Sequence, residues 1–261
     1  MKTNYHTHHY LCGHASGFMK DYIEEAIKNH FIELGISDHG PLYDPPFYRM
    51  SLYEFKNVYL KEFKQAKEKY QDQIKLLISV EIEFVEAQTN HYHELLKDLD
   101  YLILGCHYYS DKPGYHRKAI YFVDTEEKLL EYTNLIERAL DTKCFKILAH
   151  PDLFFTGYPS FDSFCEKCVE RIVDAANRNN VLLELNANGI RKGKTKRLEN
   201  EMVYGYPCED FWKVVKRKNG KVIIGSDCHQ PHELNDYATD LATNLAKKLE
   251  LNIIEKLSDE I

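Results

Sequence analysis

Short compact apolar runs alternate along this chain with longer stretches in which apolar residues recur every three or four positions. The compact runs predict strands near residues 3–7, 33–37, 74–83, 101–106, 145–149, 181–186 and 221–225, each bounded by turn residues or by helix. Between them, DYIEEAIKNH, SLYEFKNVYLKEFKQAKEKY, TEEKLLEYTNLIERAL, SFCEKCVERIVDAANR and EDFWKVVKRK carry apolar stripes opposite charged faces, the pattern of amphipathic helices. Strand followed by helix, repeated without an internal sequence repeat or a Pro/Gly-rich linker, implies a parallel sheet. Closure into a barrel would leave that sheet no open edge. The expected fold is therefore α/β, a seven-stranded TIM-like (β/α)7 barrel. A chain of 261 residues fits one such unit, so one domain is expected over residues 1–261.

Composition narrows the partners rather than the fold. With 34 Lys and Arg against 41 Asp and Glu, the formal charge is −7, which argues against a nucleic acid or an anionic membrane as partner. A small ligand is expected instead. The opening MKTNYHTHHYL has no apolar signal-peptide core, and no run of 18 apolar residues occurs, so a soluble cytoplasmic protein is expected. Seven cysteines in such a chain are expected as reduced thiols. Cys165 and Cys168 form a C-x-x-C, but no second one completes a zinc site, and the spacing of Phe164, Cys168, Ile172 and Ala175 places both thiols on a half-buried helix.

The strand ends change the picture. Groups at the carboxyl ends of parallel strands share one mouth, and six of the seven predicted strands bring a metal-type ligand there. The first gives His6 and His8, the second His39, the third Glu81, the fourth His107, the fifth His150, and the seventh Asp227 and His229. His14 follows in the first loop. In H-x-H and D-x-H, residues i and i+2 of an extended segment project the same way and can serve one site. One tetrahedral ion takes three or four protein ligands, so these nine side chains suffice for two or three divalent transition ions. Imidazole with carboxylate suits Zn, Fe, Mn or Co without choosing among them. His9, His30, His91, His93, His116 and His232 lie outside the pattern and are expected at the surface, while Cys12, Cys106 and Cys228 are expected to face away from the ligands beside them or to pack around those ligands.

An opening H-x-H, a following His, a D-H, a lone Glu, two separated His and a closing D-x-H, in that order, resemble the PHP superfamily, named for polymerase and histidinol phosphatase. CGHASG, YIEEAIKNHFIELGISDHGPL, YRMSLYEF, AHPDL, LELNANGIRKG and GSDCHQPHEL are similar to its histidinol-phosphatase branch. The resemblance implies a distorted (β/α)7 barrel with a trinuclear metal site at its carboxyl rim. It implies His6, His8, Glu81 and Asp227 around one ion, Glu81, His107 and His150 around a second, and His14, His39 and His229 around a third. Asn4, where relatives often have Asp, and Cys106, where Ser is common, are departures expected to alter hydrogen bonding around the ligands rather than metal binding.

The activity so implied is metal-dependent hydrolysis of L-histidinol phosphate to L-histidinol and phosphate, a step of histidine biosynthesis. The alternative is another phosphomonoester, such as a nucleotide or a sugar phosphate. Glu81 and Asp227 are the expected catalytic carboxylates. Arg191 is expected both as a catalytic group and as a bidentate clamp on the substrate phosphate, with Arg117 as a second cation there. For the leaving group, Asp227, a ligand histidine and water all remain open as general acid.

Overall fold

Strands buried on both faces read as continuous apolar runs rather than as alternation, and Leu182–Asn186, buried at every position, is one of them. The computed structural model describes residues 1–42, 49–110 and 118–261. Its strands are β1 (Thr3–Asn4), β2 (Glu33–Ile36), β3 (Lys75–Ile78), β4 (Glu81–Ile82), β5 (Ile103–Leu104), β6 (Ile147–Leu148), β7 (Leu182–Asn186), β8 (Lys194–Leu198), β9 (Glu201–Tyr204), β10 (Lys221–Gly225) and β11 (Asn252–Ile253). β1, β2 and β3 form one sheet, and a second runs β11-β10-β7-β6-β5-β4. All pairings in both are parallel, so the fold is α/β.

The run at 74–83, expected as one strand, is two. β3 ends one sheet and β4 begins the other, with Ser79 and Val80 between them. Isolated parallel bridges span both gaps between the sheets, Thr7 to Cys228 and His39 to Glu81. Asn4 adds a side-chain tie across the first gap. Its Nδ2 donates to His6 O at 3.0 Å and its Oδ1 accepts from Ser226 N at 2.7 Å.

The five expected helices form, with Leu52–Glu54, a π-turn over Phe55–Tyr59 and Leu60–Tyr70 sharing the second stretch. Helix Ser163–Arg178 starts where Asp162 accepts from the backbone of Phe164 and Cys165, and it buries both Cys165 and Cys168. All seven cysteines are free and buried. Helices Thr89–Leu95 and Tyr237–Lys248, strand β11 and the antiparallel hairpin β8–β9 were not anticipated. The hairpin's KTKRLENEMVY is too polar to show an apolar run, and Tyr237–Lys248 presents mainly alanines to the core, Ala238, Ala242 and Ala246.

Trp212 is the largest fully buried side chain. Its Nε1 donates at 2.9 Å to Asp152 Oδ2, which also accepts from Cys208 N at 2.7 Å. Asp152 Oδ1 is buried and makes no hydrogen bond among the described residues, and burial pushes this carboxyl up to about 7. Among the described residues no helix is long and apolar enough to cross a membrane.

Candidate metal centre

The carboxyl ends of the strands bring all nine candidate ligands together. Glu81 lies at the centre because its two oxygens face different histidines. Oε1 is 3.1 Å from His150 Nε2 and 3.9 Å from His107 Nε2. Oε2 is 3.0 Å from His39 Nδ1 and 3.5 Å from the Nε2 of both His6 and His8. Asp227 Oδ1 approaches from the other side, 3.2 Å from His8 Nε2 and 3.7 Å from His6 Nε2. On the outer side His14 Nε2 lies 2.9 Å from His229 Nε2, and the His39 ring stands 5.4 Å from that of His14.

These distances fit metal ions. Ligand bonds of 2.0–2.1 Å to a tetrahedral ion put neighbouring donors about 3.3 Å apart, and His6, His8, Glu81 and Asp227 stand 3.0–3.7 Å from one another where they meet. Among the described residues four sets of donor atoms lie within 4.8 Å of one another: His6, His8 and Glu81; Glu81, His107 and His150; His14, His39 and His229; and His8, Cys12 and His229. Two pairs of ring nitrogens facing each other, with carboxylates beside them, leave lone pairs that a shared cation would satisfy.

Glycines and strained backbone make the crowding possible. A Cβ at Gly225 would lie 1.7 Å from Glu184 Oε1, and one at Gly105 3.0 Å from Glu81 Oε1. Cys106, His150 and Asp227, at or beside candidate ligands, adopt φ of 35°, 31° and 48°. Such left-handed non-glycine residues cost about 1–3 kcal/mol each and cluster at functional sites.

Carboxylates hold the far side of several rings. His6 Nδ1 pairs with Glu184 Oε1 at 2.8 Å and His107 Nδ1 with Glu83 Oε1 at 2.5 Å. Asp38 takes His9 Nδ1 at 2.9 Å, stands 3.5 Å from His8 Nδ1, and accepts from His39 N at 2.7 Å. Sequence reading missed all three acids. Glu83 repeats the i, i+2 spacing after Glu81, Asp38 precedes His39, and Glu184 lies in the middle of β7, the expected strand credited with no ligand.

Charge divides the cluster. Burial disfavours an imidazolium at His6, but Glu184, Asp227 and Glu81 outweigh it and raise its pKa well above the usual value. At His8 burial is likewise outweighed, chiefly by Asp227 and Asp38, and the pKa rises to about 9. Burial would push Glu81 and Asp227 up, yet the surrounding histidines, His6 foremost, hold both well below the carboxylate range. Burial and then the charge on His8 lower His39 far below its usual value and His229 to about 4.

A cavity of about 380 Å³ opens over this cluster, lined also by Arg49, Lys192, Tyr121, Tyr206, Asn188 and Leu153. Arg191, expected there as the phosphate clamp, is not in its wall. Its guanidinium is used up by Asp236 (Nε to Oδ2, 2.7 Å), Ser226 O at 2.6 Å, Ser226 Oγ at 2.8 Å and Glu233 O at 2.6 Å. Those partners turn it into a tie between the segment after β7 and the segment after β10. Arg117 and His116 lie outside the described residues. His30, His93 and His232 are exposed as expected, but His9 and His91 are buried. His9 is drawn in by Asp38, and His91 Nε2 sits 2.7 Å from Pro41 O. Cys12 does not face away, since its sulfur groups with the donors of His8 and His229.

The family described as PHP domain matches residues 4–188. The chain is similar to a probable histidinol-phosphatase of Deinococcus radiodurans, 25% identical over 245 residues that cover 88% of this chain and 86% of that one. Among solved structures it resembles a putative histidinol phosphatase of Listeria monocytogenes, with TM-score 0.75 and 18% identity over 92% of this chain and 99% of that one. A histidinol phosphate phosphatase of Lactococcus lactis, complexed with zinc, L-histidinol and phosphate, superimposes with TM-score 0.73 and 20% identity over 97% and 95% of the two chains.

Proposed function

The chain belongs to the PHP domain family, and from that premise we propose that it is a metal-dependent phosphomonoesterase whose substrate is L-histidinol phosphate, released as L-histidinol and phosphate. The observation that carries this reading is Glu81, one buried carboxylate whose two oxygens face separate sets of histidines in a cavity that also presents Arg49 and Lys192. Relatives named as probable histidinol-phosphatases over most of both chains support the substrate.

In this reading His6, His8, Glu81 and Asp227 hold one ion, Glu81, His107 and His150 a second, and His14, His39 and His229 a third, with zinc, iron or manganese as occupants. Bound there, divalent ions supply an activated water nucleophile at neutral pH and neutralise the phosphoryl oxygens. The chain's own side chains do the rest. Arg49 and Lys192, both in the cavity wall, take the role expected of Arg191 and receive the phosphate dianion. Tyr121 and Tyr206 offer ring faces to the substrate's imidazole, and Tyr206 OH is fixed by Lys192 Nζ at 3.0 Å. Asn186 and Asn188 donate to Asp227 Oδ2 at 3.2 and 3.1 Å and hold its Oδ1 toward His6 and His8. We read the two sheets as one distorted barrel forming a single domain over residues 1–261, in which β3 and β4 count as one interrupted strand and β11 is added to the expected seven, supported by the bridges Thr7–Cys228 and His39–Glu81.

Steady-state kinetics of the metal-loaded protein with histidinol phosphate, a nucleotide and a sugar phosphate tests the proposal. Histidinol phosphate is expected to have the highest kcat/KM. Equal values would leave a phosphoesterase of another specificity, and no hydrolysis of any of the three would remove the activity altogether.

A further inference from the structure

Cys12 belongs to no set that the phosphatase reading uses, yet it stands among donors. It is buried, at 4% exposure, in the turn between β1 and the first long helix. Its sulfur accepts from Ala15 N at 3.2 Å. Donor atoms of His8, Cys12 and His229 all lie within 4.8 Å of one another. His8 Nδ1 is buried, makes no hydrogen bond among the described residues and stands 3.5 Å from Asp38 Oδ1.

We propose that Cys12, His8 and His229 form a soft-metal site, at which a thiophilic divalent ion such as Cd²⁺, Zn²⁺ or Co²⁺ binds through the Cys12 sulfur. On binding, the ion replaces the thiol proton, which leaves to solvent. Bonds of about 2.3 Å to sulfur and about 2.0–2.1 Å to imidazole place such donors about 3.5 Å apart, so the cluster contracts by side-chain rotation of an ångström or so. Thiolate among the donors selects against Mn²⁺ and Mg²⁺, which prefer oxygen. The site shares the residue His8 with the inner set and His229 with the outer one. This goes beyond the phosphatase reading, which needs no sulfur.

The test is titration of the full-length protein, as purified, with Cd²⁺, followed by sulfur-to-cadmium charge-transfer absorption in the near ultraviolet. The expected result is a rise equivalent to one thiolate per chain, lost in Cys12→Ser and kept in Cys228→Ser. No absorption in the wild type, or full absorption in Cys12→Ser, would overturn the proposal. Cadmium-113 NMR of the wild type probes the same site without any variant: a resonance in the mixed sulfur–nitrogen range supports it, and signals only in the nitrogen–oxygen range refute it. Neither readout depends on hydrolysis, so failure here and failure of the phosphatase assay are separate results.

Discussion

His6 Nδ1 and Glu184 Oε1 stand 2.8 Å apart with both side chains 1% exposed. The other oxygen of Glu184 accepts from His150 N at 3.2 Å and Asn186 Nδ2 at 2.7 Å. One carboxylate therefore fixes the ring of one candidate ligand and the backbone of another. An imidazole whose Nδ1–H is held this way offers its Nε2 lone pair in a single direction.

Glu184→Gln is expected to weaken metal binding about 10- to 100-fold, the usual effect of losing a carboxylate partner behind a ligating histidine. Competition with a chromophoric chelator measures it. Unchanged affinity would mean that Glu184 serves folding alone.

Glu81→Ala is expected to remove more metal than any other single substitution, because both of its oxygens face histidines of different sets. Elemental analysis should show a loss of more than one ion per chain, with turnover abolished. Retention of all ions would contradict the bridging role.

The two arginines separate cleanly. Arg191→Ala takes the guanidinium from Asp236, whose carboxylate keeps only its helix-capping bonds from Ala238 N and Thr239 N, and should cost about 3 kcal/mol of stability, read from urea unfolding. Arg49→Ala should leave stability nearly unchanged and lower kcat/KM about 10- to 100-fold, the loss of one charge-assisted hydrogen bond to phosphate. The reverse pattern would restore Arg191 as the clamp.

Asp152 gives a pH dependence of defined sign. Burial raises its folded pKa to about 7, above an unfolded value of about 3.9, so the folded state holds the proton more tightly. The resulting stability is complete below about pH 4 and is lost as pH rises through about 7, up to about 4 kcal/mol in all. Asp152→Asn mimics the protonated form and should gain on the wild type between pH 5 and pH 8. A stability difference that stays constant across that interval, measured by urea unfolding, would refute it.

Much of the arrangement could be read in the chain because strands and ligands leave local marks. Apolar runs located the parallel strands, and H-x-H, D-H and D-x-H at their ends named side chains that the structure brings together. What could not be read depends on partners far along the chain. Arg191 meets Asp236 across 45 positions, and nothing local distinguishes a cation tied into the fold from one facing substrate. His9 looked exposed by alternation, but the strand stops at Asn4 and Asp38 draws the ring inward. Arg49 is isolated in YRMSLYEF and gained its place only when that segment packed beside His14, 3.2 Å from its Nδ1.

The bond from Ser226 N to Asn4 Oδ1 joins positions 222 apart. Closing so long a loop costs little more entropy than closing one half its length, but contacts of such separation slow folding. On the ribosome, where a chain emerges in order, the first strand can pair with β2 early but must wait for almost all that follows before it meets the end of β10. His6 and His8 therefore spend synthesis without Asp227, and a chain interrupted before β10 would carry an incomplete cluster. Capture of the full set of ions belongs to the last stage of folding, which couples cofactor acquisition to completion of the polypeptide.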